Sequence, residues 1–442
     1  MDLVLRADRV LVDGTLRPAA VAVAHGRVAG IGPLDAHHDA GEQIELPAPA
    51  ILLPGFVDTH VHIDEPGTDW EGFATATAAA ACAGITTLVD MPLDCVPVTT
   101  TVAALHAKQM AAQGKCRVPV EYWGGIVPAN LGTLHTLAAS GVRGFKCFLA
   151  DSGHPDFPPL TPQDLRAAAA EVAALDAVLL VHAESHAVLA RCAPPAGPDH
   201  ASFLASRPDA AEVVAVQSAI EAARATGARL HIVHVSSAQV LDAIATAKSD
   251  GVAVTAETCP HYLCFTAEAI ARGDTRFAVC PPIRSGANRE RLWTALADGT
   301  LDMVVSDHSP GAPAAADGTD FGRATGGIRS LQFSPRAVWT QAAARGFRVA
   351  DLSRWMSQRP AELAGLDDRG RIAVGARADL CAFDPDATDT VQAAGIRHRS
   401  PVTPYAGTAL RGRVLATWVG GRPAYVDPAH RTSVAPELGV RS

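Results

Sequence analysis

The sequence predicts an α/β protein, a (β/α)8 TIM barrel with a small β-sandwich domain built from both chain ends. Three observations carry this expectation. From about Gly55 to Gly370, short apolar segments alternate with Ala-rich amphipathic ones, the signature of βα units around a parallel sheet. Eight apolar segments of strand length can be picked out of that stretch, with helix-like patterns in most of the gaps. The two ends of the chain read differently, as β-branched runs broken by tight-turn dipeptides. The boundaries that follow are 1–54 with 371–442 for the accessory β-sandwich and 55–370 for the barrel.

Taken in order, VLRADRVLV and VAVAHGRVAGIG are strands, with Asp13-Gly14 and His25-Gly26 as turn signals. The eight barrel strands are PGFVDTHVH, GITTLVDMP, VPVEYWGGIV, GFKCFL, AVLLVHAE, LHIVHVSS, VAVTAETCP and LDMVVSDHS. Between them EGFATATAAAACA, TPQDLRAAAAEVAAL, AAEVVAVQSAIEAARATG, SAQVLDAIATAKSD and RERLWTALAD have helical spacing. At the C-terminal end RIAVGARADLCAFD is followed by LRGRVLATWVGGRPAYV, whose Gly420-Gly421 suits a tight hairpin. In a barrel of this kind chemistry gathers where strands end, at the carboxyl face.

Composition excludes several classes. The chain has 442 residues, 48% of them hydrophobic, and 37 basic against 46 acidic residues give a net charge of −9. With no basic block, neither nucleic acid nor an anionic membrane is the expected partner. No apolar run approaches the ~18 residues of a membrane span, and MDLVLRADRV does not read as a signal peptide. A soluble, cytoplasmic protein is expected. The nine cysteines are odd in number and form no CxxC pair, which argues against a disulfide framework or a structural zinc knot.

The candidate chemistry lies at strand ends. His60 and His62 close PGFVDTHVH, and residues i and i+2 of a strand face the same side, so both imidazoles can address one metal. His182 ends VLLVH and His234 ends LHIVH. A lone histidine in such a place is by default a satisfied core residue, but three strands ending alike favour a metal centre. His231, three positions before His234, faces the other way and reads as structural or as support for a ligand; His186 begins the next helix. Asp307 ends LDMVVSD, where a buried acid is costly unless it binds a metal or a donor; the alternative is a cap for the turn that follows. Lysine is scarce, four residues against 33 arginines, and Lys146 sits in the apolar GFKCFL beside Phe145 and Phe148; the bland reading is a head group that reaches solvent. Ser236-Ser237 reads as a helix cap, and RSGANRER (284–291) as a solvated loop and helix start. No GxSxG elbow, phosphate-binding loop or dinucleotide fingerprint is present.

The order HVH, GFKCFL, VHAE, HVSS, SDHSP resembles the amidohydrolase superfamily in its cyclic-amidase branch, over nearly the whole chain. EPGTDWEGF, TTLVDMPLD, ETCPHYL, CPPIRSGANRERLW, GGIRSLQ and TPYAG are similar to the allantoinase group within it. The resemblance implies two divalent metal ions, zinc first, with iron, cobalt or manganese also suited to such ligands. His60 and His62 would hold the more buried ion, and His182 and His234 the second. Lys146 would bridge both as a carbamate formed with CO2, because an ammonium would be repelled there. Asp307 would complete the first shell and act as general base and acid, while a metal-bridging hydroxide opens a hydantoin ring. Backbone groups near Cys280 and Gly327 correspond to ring-imide contacts. The implied substrate is a small cyclic ureide, allantoin hydrolysed to allantoate, and the implied assembly is a homotetramer.

Three departures stand out. MPLD ends in Asp94 where related allantoinases commonly carry Asn, Arg is missing after EPG, and Asp64 occupies a position that is usually neutral. Asp64 and Asp94 are therefore candidate substrate-site carboxylates that could shift ureido recognition. Two further readings share the pattern. A hydantoinase or dihydropyrimidinase would place a Tyr shortly after the lysine strand, where this chain has Leu149-Ala150-Asp151-Ser152. A dihydroorotase would place Arg two residues after HxH, where this chain has Asp64. A metal-free assembly relative of the same fold would have shed ligands, whereas all six candidates are present.

Overall fold

The computed structural model describes residues 1–36, 39–311 and 318–430; positions 431–442 of the C-terminal segment expected in the accessory domain lie outside the described residues. Strands β1 (Leu3–Val12), β2 (Thr15–Ala24) and β3 (Arg27–Gly32) form an antiparallel meander. Its two turns are the dipeptides singled out by sequence: Asp13 and Gly14 have φ 48° and 73°, His25 and Gly26 51° and 75°, consecutive left-handed residues whose twist matches that of the flanking strands. Strands β4 (Glu42–Glu45) and β5 (Ile51–Pro54) run parallel to β1.

Nine parallel segments follow: β6 (Phe56–Val61), β7 (Ile85–Asp90), β8 (Val120–Tyr122), β9 (Gly124–Gly125), β10 (Phe145–Phe148), β11 (Val178–His182), β12 (Arg229–Ile232), β13 (Val254–Thr258) and β14 (Met303–Val304). β8 and β9 are separated by Trp123 alone and belong to one expected strand, so every one of the eight expected strand segments is found. Pairing is parallel and sequential, in the arrays β6-β7-β8 and β9-β10-β11-β12-β13-β14. The first and last segments also meet: Val61 bridges His308 in parallel, and His62 N–H donates to the His308 carbonyl at 2.8 Å. The Asp58 carboxylate of β6 accepts the Ser306 N–H at 3.1 Å just beyond β14. These strands are covered on both faces, which is why they read as continuous apolar runs rather than alternating ones.

Helices fill the connections. The helix Pro162–Ala174 starts with a capping box, Thr161 accepting from Asp164 N while the Asp164 carboxylate accepts the Thr161 N–H, and Pro162 stands at its first position. It buries Leu165, Ala168, Ala169 and Val172 on one stripe. The long helix Asp209–Thr226 stops at Gly227, whose φ of 74° makes the left-handed cap that a side chain would oppose. Ser237 accepts from Gln239 N, the capping role expected of it. No helix among the described residues is long and apolar enough to cross a membrane.

The chain then returns to its beginning. β15 (Leu380–Thr390) pairs antiparallel with β5, and β16 (Ala409–Val419) and β17 (Arg422–Val426) complete one eight-stranded sheet in the order β17-β16-β15-β5-β1-β2-β3, with β4 beside β1. Gly420 and Gly421, at φ 54° and 73°, make the β16–β17 turn. Val10, Val21, Val23, Leu52, Ala382 and Trp418 from both ends share one buried cluster, so this sheet needs residues almost 400 positions apart to bury its face.

One expectation fails. RSGANRER is not solvated throughout: Arg284 is buried, donating to Glu212 at 2.7 Å and lying 3.2 Å from Asp209. The charge run hides a buried ion pair because both acids come from the start of a helix more than 70 residues earlier in the chain.

Candidate metal centre

The side chains singled out by sequence converge at the carboxyl ends of the parallel strands. His60, His62, Lys146, His182, His234 and Asp307 all line one cavity of about 570 Å³, together with Asp94, Cys280 and Gly327. The ligand atoms of His60, His62 and Asp307 lie within 4.8 Å of one another. His60 Nε2 is 3.2 Å and His62 Nε2 3.8 Å from Asp307 Oδ1. The His60 and His234 ring centres are 5.5 Å apart, and those of His234 and His182 4.5 Å. The Lys146 amine lies 4.9 Å over the Phe148 ring, which stacks on His182 at 4.6 Å. Asp64 is not on the cavity wall. It is buried, one of its oxygens within 4.8 Å of ligand atoms of Asp94 and His62, and neither oxygen has a hydrogen-bond partner among the described residues. Asp94 Oδ2 lies 2.9 Å from His62 Nδ1.

Local backbone conformation aims these groups. His234 and Asp307 follow β12 and β14 at φ 40° and 44°, and Asp64 and Asp94 take 62° and 63°. Non-glycine residues pay to adopt this left-handed region, and such strain collects at functional sites.

Electrostatics suit cation binding. Burial pushes the pKa of His60, His182 and His234 below the ordinary imidazole value, the direction that favours the neutral ring a metal ligand needs. Burial would raise the Asp307 carboxyl, but His60, His62, His261 and Lys146 around it outweigh that and hold it below its usual range. Burial brings the Lys146 amine down to about 8, even though Glu257 and Asp307 pull the other way.

Sequence reasoning missed the supporting acids. Glu257, in β13, accepts from His60 Nδ1 at 2.5 Å and His231 Nε2 at 2.9 Å. It is buried, yet these rings keep it ionised. His231 thus supports a candidate ligand through Glu257. Glu184 is 2.8 Å from His182 Nε2 and is held by Arg207, which brings its pKa down to about 2. A carboxylate behind a histidine fixes the tautomer and leaves the other nitrogen free for metal. The available signals were a buried acid inside an apolar strand for Glu257 and its place two residues after His182 for Glu184.

The donor set fits a metal. The Glu257 carboxylate accepts at His60 Nδ1, which turns His60 Nε2 toward the Asp307 carboxylate at 3.2 Å. His234 Nδ1 is buried with no hydrogen-bond partner among the described residues. Acceptors that converge in this way need a cation.

Residues 51–424 match the model of the Amidohydrolase family. Over 97% of its length, and 96% of the relative's, the chain is 48% identical to the allantoinase of Streptomyces avermitilis. It is 43% identical to the mitochondrial allantoinase of Aquarana catesbeiana, over 82% of this chain and 76% of that one. Among solved structures it is similar to the L-hydantoinase (dihydropyrimidinase) from Arthrobacter aurescens, with a TM-score of 0.88, 29% identity, and coverage of 96% of this chain and 95% of the other.

Proposed function

The chain belongs to the amidohydrolase family, and from that premise we propose that it is an allantoinase, opening the hydantoin ring of allantoin by hydrolysis to give allantoate. The reading is supported by identity to allantoinases along almost the entire chain. The hydantoinase likeness is in fold, at lower identity. The parallel segments are read as a closed (β/α)8 barrel over 55–370, with 1–54 and 371–442 as the accessory β-sandwich. The Val61–His308 bridge supports closure, and the sheet shared by both ends supports the second domain.

Two divalent ions, zinc in the first instance, would be held by His60, His62, His182, His234, Asp307 and Lys146. The Lys146 amine, largely desolvated and with its pKa near 8, adds to CO2. A new N–C bond forms, a proton is released, and the product is a carbamate whose two oxygens suit a bridge. When bound, such a metal pair acidifies a water toward neutrality and polarises the amide carbonyl. Asp307 takes up the proton given off as the new C–O bond forms and delivers it to the ring nitrogen as the C–N bond breaks. Glu257 and Glu184 hold the His60 and His182 rings in the tautomers that leave a lone pair toward the cavity. Backbone groups near Cys280 and Gly327, which line the cavity, would contact the ring imide.

The observation that carries this reading is the convergence of His60, His62, Lys146, His182, His234 and Asp307 on one cavity, in a chain 48% identical to an allantoinase over 97% of its length. The test is a substrate panel of allantoin, hydantoin, dihydrouracil and dihydroorotate with zinc-loaded protein. Allantoin is expected to give the highest kcat/KM. Turnover confined to dihydroorotate or dihydrouracil would overturn the assignment.

A further inference from the structure

We propose that Arg207 is a specificity determinant, donating to the carbonyl of a urea-like substituent carried by the cyclic amide. This rests on the reading of the site given above and adds to it the residue that recognises the side group. Arg207 lines the same cavity as the six candidate ligands, and it and Lys146 are the only Arg or Lys among the described residues that do so. With Lys146 assigned to a carbamate, Arg207 is the lasting cation on the wall.

Its guanidinium is divided between two faces. Nε donates to Glu184 Oε1 at 3.0 Å and Nη2 to Glu184 Oε2 at 2.6 Å. Nη1 makes no hydrogen bond with a described residue, and the side chain is about 20% exposed. A guanidinium carries five N–H donors in a fixed plane, so anchoring one edge presents the other. The backbone is anchored as well. The Arg207 carbonyl accepts from Arg284 Nη2 at 3.2 Å, and Arg284 is locked to Glu212. Glu212 in turn accepts the N–H groups of Ser236 and Ser237, two and three residues after His234. The donor edge is therefore held rigid relative to two candidate ligand strands, which lowers the ordering cost of binding.

The chemistry of the partner follows from the wall. Nη1 asks for a carbonyl oxygen. Asp94, also on the wall, asks for N–H and disfavours an anion. A ureido group adds one carbonyl oxygen and several N–H donors to those of the ring, and an unsubstituted hydantoin lacks them.

Removing Arg207 alone would leave Glu184 buried and uncompensated, so the test compares E184Q with the double variant E184Q/R207M. Between these two only the guanidinium changes. Allantoin is assayed against hydantoin, the same ring without the ureido group, and bound zinc is measured for each protein. The double variant is expected to lose on the order of 10- to 100-fold in kcat/KM for allantoin, mainly through KM. Hydantoin turnover should stay within about 3-fold, with zinc content equal. Equal losses for both substrates, or none for either, would overturn the proposal. If E184Q does not fold, R207K alone gives the same readout, because Lys keeps the charge and loses the fork; the allantoin-to-hydantoin ratio should again fall, and an unchanged ratio would overturn it. Whether the unaltered protein opens allantoin at all decides the functional reading separately, before any variant is compared.

Discussion

Lys108 and Lys146 are buried to the same degree, each about 1% exposed, and the molecule uses them in opposite ways. Lys108, on the helix Val102–Ala112, reaches the Asp90 carboxylate at 2.5 Å and the Met91 carbonyl at 2.7 Å. Burial works against its charge, but the Asp90 carboxylate and nearby Cys95 more than offset this and hold the pKa above that of an ordinary lysine. Lys146 forms no ion pair with a described carboxylate and sits over the Phe148 ring. There burial wins, and the amine drops to about 8. Similar burial leaves the amine pKa raised in one place and lowered in the other, and the difference is one carboxylate at contact distance.

Substitution should separate the two roles, with the larger effect at Lys146. Lys146→Ala is expected to lower kcat/KM by about 10⁴-fold or more, the loss of over ~5 kcal/mol of barrier reduction when a bridging ligand goes. Urea unfolding of the metal-free protein should hardly change. Carbon-13 NMR in labelled bicarbonate should give a carbamate signal in the parent and none in this variant. Activity retained without that signal would make Lys146 a plain core residue and dissolve the contrast. Lys108→Met is expected to do the reverse, costing ~3–5 kcal/mol of stability because Asp90 is left buried and unpaired, while the carbamate signal stays. The double variant Asp90→Asn/Lys108→Met should recover much of that loss in urea denaturation. A double variant as unstable as the single one would mean that packing, not charge, is what Lys108 supplies.

The same pair marks what could be seen in the sequence. Lys146 stood out because GFKCFL is apolar on both sides of it. Lys108, in AALHAKQMAAQ, looks like any helix-surface lysine, and only the fold brings Asp90 against it. The strand-end residues His60, His62, His182, His234 and Asp307 were legible for a local reason: each terminates an apolar run, and parallel strands in sequence must point those ends the same way. The hairpin turns at Asp13-Gly14, His25-Gly26 and Gly420-Gly421 were legible because two adjacent left-handed residues demand such dipeptides. The supporting partners were not. His60 and Glu257 are 197 positions apart and Arg284 and Glu212 are 72 apart, and no periodicity within a segment encodes which acid will meet which base. RSGANRER was misread for that reason. Asp64 was noticed as a departure, but its place behind the wall rather than on it depends on a left-handed turn that sequence alone did not reveal.

Asp64, buried, and Asp94, half-buried, supply the mirror image of the lysine comparison, acids with no Lys or Arg in an ion pair with them among the described residues. Asp90 is paired with Lys108, whereas among the described residues no donor reaches the Asp64 carboxylate, and the Asp94 carboxylate lies 2.9 Å from the His62 ring. Cations bound by His60, His62 and Asp307 would be the charge that compensates them, and a carboxylate behind a ligating histidine strengthens it as a donor. Asp94→Asn keeps the shape and removes the charge. It is expected to weaken zinc binding about 10-fold, the low end of what such supporting carboxylates contribute, measured by competition with a chromophoric chelator. Lys146→Ala should weaken binding far more and Lys108→Met not at all, so the three variants rank by their distance from the metal charge. If Asp94→Asn instead leaves zinc affinity unchanged and raises KM for allantoin, the carboxylate serves the substrate alone and His62 needs no anionic support.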